Sequence, residues 1–226
     1  MNISEATNVG IKNSSGQFIC FFDHDDLLHK HALSCIGEVL SNSKLKLLYT
    51  DENKVNSFGL KYSFHFKPDF NLDLLLSQNY ICHFLVFSRN LVDKVGFLNT
   101  KYNGAQDYEF ILRMISILDK DQIYHLPLSL YSWRAHAKST AQTITAKSYS
   151  IKASINALKN FLMIKGVNFQ SVEIVKNSFF NVKYKLNNKN PSVSIIIPTK
   201  DKSDLLEVCI NSILKNTSYS NYEIVI

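Results

Sequence analysis

Apolar positions along the chain alternate between helical stripes and short continuous runs. Ile3, Ala6, Val9 and Ile11 recur at roughly helical spacing, so residues 3 to 15 are expected to form a helix that ends at Gly16. Phe18-Ile19-Cys20-Phe21-Phe22 is a continuous apolar run, too short for a buried helix, and reads as a strand over 18–22. Helical spacing returns from His29 to Leu40 through Ala32, Leu33, Ile36, Val39 and Leu40. A second apolar strand spans Leu45 to Tyr49 and ends, like the first, in acid, at Asp51-Glu52. Strand, helix, strand with acids at both strand ends predicts an α/β fold on a parallel sheet.

The middle of the chain is less regular. Lys54 to Phe66 reads as a polar, aromatic hairpin or loop, and Asp69 to Ser77 as a short helix with Leu72, Leu75 and Leu76 on one face. Tyr80 to Phe87 is expected to be a strand and Arg89 to Val95 a short helix. The turn signal Asn103-Gly104 precedes a helix carrying Phe110, Ile111, Met114, Ile115 and Leu118. Gln122 to Leu126 and Leu128 to Trp133 read as two strands around Pro127. A long amphipathic helix over 146–165, a strand over 179–186 and a polar linker over 187–191 follow. After the linker the pattern starts again, with a strand over 193–199, a helix over 204–214 and a strand over 222–226.

A chain of 226 residues with 46% apolar content is ordinary for a globular protein, large enough for one sizeable core or for one domain and part of another. No apolar run approaches the ~18 residues of a membrane span, and no charged region with an apolar stretch opens the chain. A cytoplasmic protein is expected, with Cys20, Cys35, Cys82 and Cys209 reduced and structural. The net charge of +6 is dispersed, which points weakly to anionic partners, and no basic-aromatic ladder or zinc-finger spacing supports nucleic acid.

The candidate chemistry is concentrated where the first apolar run meets Asp23-His24-Asp25-Asp26. In open α/β sheets ligands bind at the carboxyl ends of strands. Carboxylates this close repel one another unless a cation or a set of donors holds them. Two aspartates one residue apart suit a hard divalent ion that is itself bound to a substrate's phosphates. The alternative for Asp26 is a helix N-cap, since Leu27-Leu28 and a helical stretch follow. Asp107 is expected at a helix N-terminus, where the helix dipole favours negative charge, or as an N-cap.

Taken in order, these segments resemble the family 2 glycosyltransferases of the GT-A fold. Asn8-x-Gly10 with Ser15-Gly16 stands before the strand as in that family. Asp23-His24-Asp25-Asp26 matches its DxD region, and Tyr49-Thr50-Asp51-Glu52 the acidic end of the next strand. Gln106-Asp107-x-Glu109 matches the segment supplying the catalytic base. Trp133-Arg134-Ala135-His136 with Ser139-Thr140 matches the loop beyond the last sheet strands, and Val193 to Lys200 the opening strand of the same fold.

The resemblance implies a GT-A-like (Rossmann-like), mostly parallel sheet flanked by helices. Residues 1–190 would form the glycosyltransferase domain without its opening nucleotide-binding strands, and 191–226 the first strand-helix-strand of a second copy. It implies inverting transfer from a nucleotide-diphosphate sugar to a glycan or lipid-linked acceptor in envelope polysaccharide synthesis, assisted by Mg²⁺ or Mn²⁺. Asp107 would be the base, Asp25 a metal ligand and His136 a further metal or phosphate contact. Asn8, Asp23, Asp51, Trp133 and Arg134 would lie at the donor. Asp51 and Glu52 line the donor pocket or cap the next segment, and both readings stay open. Peripheral association with the inner membrane face is a further expectation. The remaining histidines, His29, His31, His65, His83 and His125, carry no partner spacing and receive no role. The alternative is an inactive fragment, or a subunit dependent on a partner chain that supplies the missing strands.

Overall fold

The computed structural model of the chain describes residues 2–42, 44–134, 144–175, 179–185 and 190–226. It divides into two compact units, residues 1–184 and 185–226. The expected linker over 187–191 falls largely on residues 186–189, outside the described set.

In the first unit, α1 (Ile3–Asn13) opens with a reciprocal cap. The Asn2 side chain accepts from the Glu5 backbone N–H, and the Glu5 carboxylate accepts from that of Asn2, each at 3.0 Å. There follow β1 (Phe18–Cys20), β2 (Leu27–Leu28), α2 (Ala32–Leu40), β3 (Leu47–Val55), β4 (Lys61–His65), α3 (Leu72–Ser77), β5 (Leu85–Ser88) and α4 (Arg89–Val95). Then come α5 (Gln106–Ser116), β6 (Ile123–Arg134), α6 (Ile144–Ile164), β7 (Phe169–Val175) and β8 (Phe179–Tyr184).

The central sheet has the order β1-β5-β3-β6-β2, with β4 added to the far half of β3. It is mixed. Only β3 and β6 pair in parallel; β1 with β5, β5 with β3, β4 with β3 and β2 with β6 are antiparallel. The mostly parallel sheet is therefore corrected at the level of pairing, because β5 returns between β1 and β3. Directions are kept all the same. β1, β3 and β6 run the same way, so their carboxyl ends meet at one edge of the sheet.

Period-two alternation sends successive side chains to opposite faces. Leu47 and Tyr49 of β3 and Leu85 and Phe87 of β5 join Phe110, Ile111, Met114, Leu158 and Phe161 under α5 and α6. Leu48, Phe84 and Val86 pack on the other face with Ala32 and Ile36 of α2 and with Tyr131. The fully buried Phe110 alone contributes roughly 1.5–3 kcal/mol by leaving water. The antiparallel pair β7–β8 adds Val172 and Phe180 to the larger cluster, with the Phe180 ring 6.3 Å from that of Tyr108.

Three local expectations need correction. The strand expected over 80–87 is regular only from Leu85, and the polar Cys82-His83 pair lies in the irregular approach to it. The two strands around Pro127 are one strand, β6, whose register slips from Thr50–Leu126 to Asp51–Ser129. Proline has no N–H for the ladder, so the chain bulges there and resumes. Leu27-Leu28 form β2, and α2 starts only at Ala32 behind His31, so Asp26 caps no helix.

The second unit is a strand-helix-strand: β9 (Val193–Ile196) pairs in parallel with β10 (Tyr222–Val225) across α7 (Ser203–Asn216).

Candidate active site

The turn after β1 points its acids in different directions. Asp26 is buried, and its carboxylate accepts from the Tyr131 hydroxyl and, at 2.8 Å, from the Arg134 backbone N–H. Arg134 Nε in turn donates to the Asp25 carbonyl at 2.7 Å. Arg134 thus ties the end of β6 to the acidic turn. The side chain of Asp25 stays exposed beside this clamp.

Asp23 turns toward a cavity of about 230 Å³ that it lines with Phe21, Cys82, His83, Gln106 and Asp107. Burial raises the Asp23 carboxyl above its ordinary value; the carboxylates of Asp26, Asp25 and Asp107 add to the rise, while His83 opposes it. His83 Nε2 lies 3.9 Å from Asp23. Its ring stacks on Tyr131 at 5.1 Å and meets Trp133 edge-on at 6.0 Å. Sequence reasoning gave His83 no role, and the structure puts it in the cavity wall. The signal available was a polar Cys-His pair breaking an apolar run, and only the fold shows what it faces.

Asp107 lies in the first turn of α5 behind Ala105, which holds the N-cap position, so the N-cap alternative does not apply. Its carboxylate accepts from Asn79 Nδ2 at 3.0 Å. Burial pushes the Cys82 thiol well up, helped by Asp107 and Glu52, and its Sγ lies 2.9 Å from His83 Nδ1. Asp107 also lines a second cavity of about 250 Å³ with Asn79, Gly104, Tyr108, Ser154 and Phe180. Asn79 Oδ1 is buried there without a hydrogen-bond partner.

The acids on β3 behave differently. Asp51 is buried and accepts from the Lys67 backbone N–H at 2.9 Å and from His125 Nε2 at 2.8 Å. Glu52 accepts from the His83 backbone N–H at 2.6 Å and lies 3.5 Å from Lys67 Nζ. That ammonium is fully enclosed and also donates to the carbonyls of Ile81 and His83. Burial lowers the Lys67 pKa, and Glu52 opposes the shift. Asp51 is therefore hydrogen-bonded inside the protein.

Asn8 is likewise engaged within the fold. Its Nδ2 donates to the Leu98 carbonyl at 2.8 Å and its Oδ1 accepts from the Leu98 N–H at 2.9 Å. Both ends hold α1 to the segment before α5, and Asn8 is not among the cavity residues. Trp133 is part-exposed, with Lys54 Nζ 5.7 Å from its ring centroid. His136 lies outside the described residues.

Among the described residues no three or more His, Cys, Asp or Glu side chains converge as a cation cage. The exposed Asp25 carboxylate, with Asp23 two residues away, fits the mode in which a hard cation takes one or two protein carboxylates and fills its shell with phosphate oxygens and water.

The fold and site together define an α/β domain with an acid-lined cavity at the carboxyl edge of its sheet. Over its whole length the chain is 38% identical to protein y4gI of Sinorhizobium fredii, covering 25% of that protein. Over 99% of its length it is 33% identical to the O-antigen biosynthesis protein RfbC of Myxococcus xanthus, covering 17% of it. Over 98% it is 22% identical to a Rickettsia bellii glycosyltransferase, covering 35% of it. The chain thus spans about a third or less of these relatives. No family model matches it.

Proposed function

We propose that this chain is the catalytic portion of a glycosyltransferase of the family 2 type, transferring a sugar from a nucleotide-diphosphate donor to a glycan or lipid-linked acceptor with inversion, in envelope polysaccharide synthesis. One observation carries the reading: the Asp107 carboxylate accepts from a neutral donor, the Asn79 amide, in a cavity it shares with Asp23. A carboxylate so oriented, with no basic partner among its described contacts, is free to take a proton. Similarity to an O-antigen biosynthesis protein and to a glycosyltransferase supports the substrate class.

The acceptor hydroxyl gives its proton to Asp107 as its oxygen attacks the anomeric carbon, and the bond from that carbon to the diphosphate oxygen breaks. Asp107 lines both cavities, so one can take the donor sugar and the other the acceptor. Asp23 and His83 face the donor side, Trp133 packs behind His83, and Arg134 keeps the Asp25 turn in place. Asp25, with Asp23, would hold a Mg²⁺ or Mn²⁺ ion, which when bound supplies positive charge for the departing diphosphate.

A second reading is favoured by the small share of each relative that the chain spans: the donor site is completed by residues of a longer protein or a partner chain. Thermal melting with Mn²⁺ and a panel of nucleoside diphosphates separates the two. A metal-dependent upward shift, lost in Asp25→Ala, supports an assembled site. A cooperative melt with no shift supports the second reading.

A further inference from the structure

The hairpin between β3 and β4 has no role in the chemistry above, yet it exposes five large apolar side chains, Phe58, Leu60, Tyr62, Phe64 and Phe66. Phe58, at the tip, is 86% exposed, Leu60 65% and Phe66 73%. Tyr62, Phe64 and Phe66 alternate with Lys61, Ser63 and His65, and the rings of Phe64 and Phe66 stack at 5.9 Å. The tip is built to hold this shape. Asn56 Oδ1 accepts from the backbone N–H of Phe58 and of Leu60, both at 3.0 Å, and Asn56 N–H donates to the Leu60 carbonyl at 3.1 Å. Gly59 takes φ +80°, a conformation that favours glycine. Fixed, exposed aromatic residues at a projecting tip mark an interaction surface.

Charge selects the partner. From Asn53 to Pro68 there is no Asp or Glu, while Lys54 and Lys61 flank the tip. A symmetric contact between two copies would bring these lysines together with no acid in the patch to pair them. A bilayer interface carrying anionic headgroups meets both halves of the pattern: apolar groups enter the acyl boundary and lysines meet the phosphates. We propose that the 56–66 hairpin inserts its tip into an anionic membrane surface and holds the chain there peripherally. The base of the hairpin is joined to the site, since Lys54 and Val55 pair with Trp133 and Arg134, and Arg134 holds the Asp25 turn. Membrane binding stands independently of the reaction proposed above; under that reaction it brings the cavity edge to a lipid-linked acceptor.

Co-sedimentation of the chain with vesicles of pure phosphatidylcholine and of an equal mixture with phosphatidylglycerol tests this. Binding is expected to the anionic vesicles alone. The surface double variant Phe58→Asp/Leu60→Asp, checked for an unchanged melt, should lower partitioning at least about tenfold, and Lys61→Gln about fivefold. No binding to anionic vesicles, or binding that survives the double substitution, overturns the proposal. So does a dimer in solution that the same substitution dissociates. Nucleotide-dependent melting of the double variant is expected to match the parent, so failure on vesicles is distinguishable from failure of the donor site.

Discussion

Two groups of acids lie near the same edge of one sheet, and they have opposite fates. Asp51 and Glu52 on β3 are enclosed with His125, Lys67 and backbone donors directed at them. Asp23 and Asp107 face a cavity. His83 Nε2 lies 3.9 Å from Asp23, and Asp107 accepts from the Asn79 amide. A buried carboxylate costs several kcal/mol unless it is paired and hydrogen-bonded, so the first group is neutralised internally. The second group is left available to an outside proton or cation. Acidity at a strand end therefore does not by itself mark chemistry; among the described residues the two groups differ in the cationic partners directed at them.

Removing the internal counter-charge should have the largest effect. Lys67→Met leaves Glu52 facing the 81–84 segment without its cation and should cost about 3–5 kcal/mol in urea denaturation. The double variant Lys67→Met/Glu52→Gln should recover part of that. Full stability in the single variant would mean that Glu52 needs no ammonium. Asp107→Asn should lower transfer about 10²–10⁴-fold while donor binding and folding persist. If donor binding disappears with transfer, Asp107 holds the donor instead of taking the proton.

Asp25→Ala should remove the metal-dependent part of nucleotide stabilisation, roughly 2.7 kcal/mol at a hundredfold excess over Kd, and leave the apo melt unchanged. The smallest effect belongs to Asp23. Its carboxyl is raised in the folded state, so the folded chain binds the proton more tightly than the unfolded chain. Stability therefore falls as pH rises from the unfolded carboxyl value through the folded one. Asp23→Asn should flatten that slope and raise the midpoint slightly at neutral pH, as expected where a site retains unfavourable charge for function. A steeper slope in the variant would place the repulsion elsewhere.

Element types were legible from spacing because each depends on its own neighbours. The helical stripe of α5, with acids in its first turn and Arg113 in its last, is one case, and the apolar runs of β1 and β3 are others. Boundaries and partners were less so. Cys82-His83 reads as strand interior until β5 is seen to begin at Leu85. Asn8 sits in a segment that resembles a nucleotide site, yet both its polar ends belong to Leu98, 90 residues away. Asp51 matches a motif as well as Asp23 does, and only the position of Lys67 and His125 separates them.

By itself the sequence determined the local periodicities, the order of helices and strands, and the presence of acids just beyond two apolar runs. These follow from side-chain spacing and need no distant residue. The tertiary structure alone decided that β5 returns antiparallel between β1 and β3, that His83 faces Asp23, and that Lys67 neutralises one group of acids and not the other. Those are contacts between residues far apart in the chain. Charge pairing and burial act over a few ångströms of space, whatever the separation along the sequence.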